Sequence, residues 1–317
     1  GNITYYKNYL DKISINNIDE EILLDSLRQS HRLLKFQIIF ALINHEINIE
    51  RASQEISLLA QATFDTSLKI AESRIIKKYK IDNLSYSIVA YGRFATLSMT
   101  ANSDLDLVFI YDGKNSNNNS TQKVYIELFR QLIRMLSSKT TEGLMYEVDT
   151  KLRPSGKEGP VVCTYDNFKK YHQENSFCWE KLALKKTRII NENNFNAKTS
   201  RLLEKLKTIN ISDKEIAHEI AMMRTNINQT DGHVLKKRSI KWFETKYVGG
   251  GQRDIEFLNF FYQNKSYLIE KFEVSKKLIL FKKIENLYFK IDQVVNICFL
   301  ENKQDNLPKQ AVNLLIK

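Results

Sequence analysis

Apolar residues recur at three- and four-residue spacing over residues 19–80 and over most of the chain after about 165, the period of amphipathic helices. Asp19 stands where it can cap the first helix, ahead of Ile22, Leu23, Leu27, Leu33, Leu34, Ile38 and Leu42. Residues 52–78 repeat the pattern with Ile56, Leu59, Ala60, Phe64, Leu68 and Ile75. The middle of the chain reads differently. Ser85–Tyr91 (SYSIVAY) and Leu105–Tyr111 (LDLVFIY) are short β-branched and aromatic runs, the signature of strands buried on both faces. A further helix is predicted over 121–138, with Val124, Leu128, Leu132, Ile133 and Leu136 on one face. Leu144–Leu152 alternates as a strand with Glu147, Asp149 and Lys151 on one side, and Val161–Thr164 is a candidate fourth strand. The fold class is therefore α+β and helix-rich: a small mixed sheet between helical regions, divided as 1–80, 81–190 and 191–317.

Glycine and proline sharpen that division. Apart from Gly1 there is none before Gly92, whereas five glycines and two of the three prolines fall between Gly92 and Pro160. Special backbone geometry is thus concentrated around the predicted sheet. The Asn-rich residues 115–119 read as an exposed loop. Three widely spaced cysteines (Cys163, Cys178, Cys298) suit a reducing compartment and no disulfide framework, and with His172 they show no zinc spacing. No apolar stretch reaches the ~20 residues of a membrane span, and no secretory signal is visible, so the expected location is the cytoplasm, away from any membrane. The charge of +11 favours polyanionic partners. The Lys and Arg residues are nevertheless dispersed without a run of five or six, which argues against nucleic acid as the main partner.

The candidate chemistry lies in YGRFATLSMTANSDLDLVFIYD (91–112). Asp104 and Asp106, two residues apart on a strand, project from one face about 6–7 Å apart along it. Carboxylates held that close repel unless a cation lies between them, and a hard divalent ion with oxygen ligands, Mg²⁺ above all, is the natural occupant. Gly92, Thr96 and Ser98 form a turn just upstream whose N–H and hydroxyl groups suit phosphate oxygens. A third carboxylate comes from Glu147 or Asp149, with Lys151 and Arg153 following at two-residue spacing. Three carboxylates with adjacent cations describe a two-metal site for phosphoryl or nucleotidyl transfer.

These segments resemble the bacterial glutamine-synthetase adenylyltransferases. The resemblance rests on MTANSDLDLVFIYD (99–112), EGLMYEVDTKLRPSG (142–156) with GP at 159–160, YHQENSFCWEKLALKKTRII (171–190) and FETKYVGGGQRDIEF (243–257). It implies a polymerase-β-like nucleotidyltransferase core using two Mg²⁺ ions, with ATP as substrate and glutamine synthetase as partner. A nitrogen-regulatory signal protein is a candidate second partner. The implied reaction is in-line attack of a glutamine-synthetase tyrosine on the α-phosphorus of ATP, as in the half that transfers AMP. Asp104, Asp106 and Asp149 then become the catalytic metal ligands, and Gly92, Thr96, Ser103, Lys151 and Arg153 the nucleotide-side residues. Ala95, Thr96 and Ser98 depart from the family's Gly-x-Leu-Gly-(Gly/Ser)-x-Glu turn; Lys151 and Lys186 replace arginines, while Arg188 is kept. Absence of a His-Asp dipeptide removes the hydrolase module of the related signal-protein uridylyltransferases. Two other readings stay open: transfer to another acceptor, such as an RNA end or a signal protein, and a degenerate relative that binds only nucleotide or partner.

Overall fold

The computed structural model describes residues 3–16, 19–113, 119–154, 156–208, eleven positions between 218 and 258, and 271–298. The fold divides into two compact units, residues 1–176 with 183–208, and residues 177–182 with 209–317. In the first, helices α1 (Ile3–Asn16), α2 (Glu20–Ile43) and α3 (Ile49–Tyr79) precede the sheet. Asp19 does cap α2, its carboxylate accepting from the Glu21 N–H at 2.8 Å, and Asn48 caps α3 through the Arg51 N–H at 2.8 Å. Leu23, Leu27, Leu34, Ile38 and Leu42 form the buried stripe of α2. Ile22 and Leu33 face solvent instead, because a helix of 3.6 residues per turn cannot turn every apolar position inward.

Strand β1 (Tyr86–Tyr91) is wholly buried and runs antiparallel to β2 (Leu105–Tyr111), with Tyr86 opposite Tyr111 and Ala90 opposite Leu107. Runs that are apolar apart from Ser87 and Asp106 are what a doubly covered strand requires. β3 (Val148–Asp149) and β4 (Val162–Thr164) both pair in parallel with β2, β3 at its start and β4 at its end. β5 (Thr187–Ile189) closes the other side antiparallel to β1. The five strands form the expected small mixed sheet of an α+β core.

Two local expectations need correction. The strand anticipated over Leu144–Leu152 shrinks to Val148–Asp149: Met145 and Tyr146 donate their N–H groups to Leu136 O, and the Asp149 carboxylate turns the chain by accepting the Lys151 N–H. β5 falls in a stretch read as helical, and is held because Gly92 donates to Lys186 O and Ile190 to Ile88 O. Most of the Asn-rich run, Gly249 and Gly250 lie outside the described residues. In the second unit, Ile255 donates to Gly251 O at 3.1 Å, and a long helix spans Lys271–Cys298.

Helix α5 (Asn119–Ser137) covers one face of the sheet through rings. Phe109 and Phe129 stack at 4.2 Å, Tyr111 and Tyr125 at 4.7 Å, and Tyr86 meets Phe129 edge-on at 5.3 Å. Elsewhere in the first unit, His31 of α2 is buried edge-on against Tyr146 at 4.8 Å.

Burial, reinforced by the Lys35 ammonium, pulls the His31 pKa from 6.5 down to about 3. The unfolded chain takes up a proton below its ordinary pKa that the folded chain refuses, so stability is full above pH 6.5 and falls as the pH drops toward 3. Replacing His31 by Phe should remove this contribution. Between about pH 6 and pH 4 the slope of unfolding free energy against pH should flatten by up to about 1.4 kcal/mol per pH unit. Urea denaturation across that range checks it, and an unchanged slope would contradict it.

Candidate active site

The first half of the site is a sharp reversal. β1 ends at Tyr91, and Gly92 takes a left-handed φ of +59° to start the one-turn helix α4 (Gly92–Ala95). A side chain there would be strained, and its Cβ would also lie 3.1 Å from Asp106 Oδ2. The glycine therefore lets backbone lie directly against a carboxylate. Leu97, at φ +54°, completes the bend before the chain enters the segment leading into β2.

That segment is bound to α3. Ser53 Oγ donates to Met99 O at 2.8 Å, and Met99 N donates to Ser57 Oγ at 3.1 Å. A second brace comes from Arg188 on β5, whose Nε donates to Ala95 O at 3.2 Å and Nη2 to Phe94 O at 3.2 Å. Its Nη1 reaches Gln61 Oε1 of α3 at 3.0 Å. Arg188 thus caps the carbonyl end of α4, with the guanidinium over the Phe94 ring at 5.6 Å. Sequence reasoning noted Arg188 only as a retained family residue; its role needs a strand pairing that local pattern does not reveal.

Asp104 and Asp106 stand at the start of β2, and the β2–β3 register sets Asp149 directly opposite Asp106. Carboxylate oxygens of Asp104, Asp106 and Asp149 lie within 4.8 Å of one another. Asp104 is exposed and the other two half-buried, so the cluster opens to solvent. Among the described residues this is the one group of acids, histidines or cysteines arranged to hold a metal ion. Glu147 is exposed and stands outside it, its carbonyl accepting from Leu105 N at 2.8 Å. Oxygen-only donors at this spacing fit a hard divalent cation such as Mg²⁺.

The other expected residues have divergent surroundings. Lys151 donates both its backbone N–H and its ammonium to Asp149. That bond, with the field of Asp104 and Asp106, raises the Lys151 pKa and keeps the side chain cationic. Thr96 Oγ1 is exposed, bonded to Gly92 O at 3.0 Å and to Ser98 Oγ at 2.7 Å. Ser103 Oγ is spent on the turn before β2, accepting from Thr100 N at 2.9 Å. Arg153 is buried and holds the following loop closed: Nε donates to Pro160 O, Nη1 to Thr150 O and Oγ1, and Nη2 to Gly159 O, all at 2.6–3.0 Å. Cys163 lies on β4 opposite Ile110 of β2, and burial pushes its thiol up to about 12, which leaves it inert.

The helix-rich α+β architecture around this small sheet is that of a nucleotidyltransferase-like core. Comparison with known families is more specific. The glutamate-ammonia ligase adenylyltransferase family matches residues 1–202, and the chain belongs to that family. It is 32% identical over 249 residues to the bifunctional glutamine synthetase adenylyltransferase/adenylyl-removing enzyme of Brucella melitensis biotype 1, covering 76% of this chain and 25% of that protein. The enzyme of the same name from Alteromonas mediterranea is 27% identical over 263 residues, covering 78% and 26%. The chain spans about a quarter of the length of the curated relatives it matches. No described helix is long and apolar enough to cross a membrane.

Gly92→Ala tests the turn. It should cost about 1–2 kcal/mol of stability from the left-handed backbone alone, read as a lower urea midpoint. A crystal structure of the variant should show the Asp106 carboxylate displaced by a few tenths of an ångström from the added methyl. An unmoved carboxylate with unaltered stability would remove the case for glycine here.

Proposed function

We propose that this chain transfers AMP from ATP to a tyrosine of glutamine synthetase, with Asp104, Asp106 and Asp149 holding Mg²⁺, two ions at full occupancy. The observation that carries the reading is the convergence of three carboxylates within 4.8 Å in a member of the adenylyltransferase family. The names of the relatives supply the acceptor. Bound divalent ions would lower the pKa of the attacking phenol and offset charge on the departing pyrophosphate.

The remaining steps belong to the chain's own groups. Asp106 takes its position from the β2–β3 register and the close approach of Gly92, so its oxygens are fixed before substrate arrives. The Lys151 ammonium, exposed and flexible, is the group free to leave Asp149 for a phosphate oxygen when cations occupy the carboxylates. Thr96 and the turn at Gly92 offer a hydroxyl and backbone N–H groups to the nucleotide. Arg153, with its donors on loop carbonyls, is a positioning residue that fixes where Lys151 stands. Ser103 acts likewise through its bond to Thr100. A cytoplasmic setting and control by a nitrogen-regulatory signal protein complete the reading, following from the acceptor and the resemblance.

The test uses ATP labelled at the α-phosphate, Mg²⁺ and purified glutamine synthetase. Wild type should label the synthetase; Asp104→Asn/Asp106→Asn should reduce the rate at least about a hundredfold, or ~2.7 kcal/mol of barrier. Chelation of the metal should do the same to wild type. Label that survives both changes, or none with wild type, would sink the proposal.

A further inference from the structure

A second feature of the first unit lies away from the carboxylates. Helix α6 (Tyr165–Glu174) leads directly from β4, the short α7 (Cys178–Leu184) follows in sequence, and α8 (Asn196–Lys207) packs beside α6. Between them runs a groove of about 570 Å³ lined by Tyr165, Lys169, Gln173, Lys198, Arg201 and Lys205, among others. Tyr165, Lys169 and Gln173 are four residues apart and so share one face of α6, while Lys198, Arg201 and Lys205 share one face of α8. Four cations from two segments therefore face one groove whose described lining carries no carboxylate; Asp112, outside that lining, pairs with Lys198 at 3.3 Å. Lys169, Arg201 and Lys205 are exposed and have no acidic partner among the described residues. Glu204 on α8 is engaged by Lys207 at 3.0 Å.

The groove is not part of the carboxylate site. Thr164, just before α6, pairs with Tyr111 at the far end of β2, whereas Asp149 pairs with Asp106. Five residue steps along β2 separate those positions, about 17 Å. The occupant must be anionic. Single-stranded nucleic acid would need an open ring to stack on, but Lys198 Nζ already sits 4.1 Å over the Tyr165 ring and 5.1 Å from that of Phe195. What remains is ammonium, guanidinium and side-chain amide groups, donors that suit carboxylates and peptide carbonyls.

We propose that the α6–α8 groove docks an acidic peptide segment, and that this segment belongs to the protein acceptor modified at the carboxylate cluster. The second clause rests on the proposed adenylyl transfer; the first does not. A protein acceptor then has two points of attachment, its tyrosine at the carboxylates and an acidic stretch at the groove. The groove supplies affinity and faster encounter rather than chemistry.

Lys169→Gln/Arg201→Gln/Lys205→Gln removes three exposed charges and no described ion pair, so the variant should keep the wild-type circular dichroism. A fluorescein-labelled dodecapeptide of Glu and Asp, followed by anisotropy, should bind the wild-type chain at low salt and bind the triple variant at least about tenfold more weakly. Asp104→Asn/Asp106→Asn should bind it as wild type does. With labelled ATP and glutamine synthetase, the triple variant should raise the KM for the synthetase and leave kcat and the KM for ATP unchanged. Equal peptide binding by variant and wild type, or none by either, overturns the groove. A single-stranded RNA dodecamer that binds more tightly than the peptide and is lost in the triple variant overturns the peptide assignment in favour of nucleic acid. If wild type labels no synthetase, the transfer reading and the acceptor clause fall together, and the peptide measurement alone decides the groove.

Discussion

Three carboxylates within 4.8 Å repel one another, and the first unit is organised to hold them there. Asp106 cannot retreat into the sheet, because β2 is flanked by β1 on one side and by β3 and β4 on the other. Asp149 is held by the register that sets it opposite Asp106 and by the turn it forms with Lys151. Without a metal, the Lys151 ammonium supplies part of the neutralising charge. The sheet fixes positions; cations make them tolerable.

Rigidity reaches the site from α3. This helix carries Ser53, Ser57 and Gln61 on its buried side, an unusual load of polar groups for a core helix, and each is spent on holding the site segment. The serines grip Met99 from both its N–H and its carbonyl, while Gln61 steadies Arg188, which grips the end of α4. The stretch from Gly92 to Ser103 is thus fastened at two places to one 31-residue helix. Buried hydrogen bonds of this kind contribute little net stability but are costly to break singly, so they specify one arrangement of the loop.

Much of this was legible in sequence, for identifiable reasons. The bounds of β2 match expectation because an apolar run opening beside two acids admits few other structures, and spacing alone put Asp104 and Asp106 together; the choice of Asp149 over Glu147 came from the family resemblance. β5 was not legible: three residues, TRI, carry no periodicity, and their strand character comes from pairing with β1 about a hundred residues earlier. Leu144–Leu152 misled in the opposite direction, since an alternating sequence cannot show that a side-chain carboxylate will end the strand after two residues. The groove cations were read as dispersed because they are dispersed in sequence; only the packing of α6 on α8 gathers them.

Lys151 and Arg153 show how far spacing alone can go. Two cations two residues apart after a metal-ligand candidate read as equivalent phosphate partners. Their surroundings separate them. Arg153 is buried with its donors on carbonyls and a hydroxyl, and that desolvation lowers its pKa without discharging it. Lys151 is exposed, bonded to a carboxylate and raised in pKa. A guanidinium is suited to the first position because its planar fork can bridge Thr150, Gly159 and Pro160 at once, whereas an ammonium could not span them. At the second, a compact charge on a flexible stem can exchange one anionic partner for another. Thus Lys in place of the family's Arg at 151 leaves the charge in place and changes its reach, whereas the same exchange at 153 would release the loop that positions it.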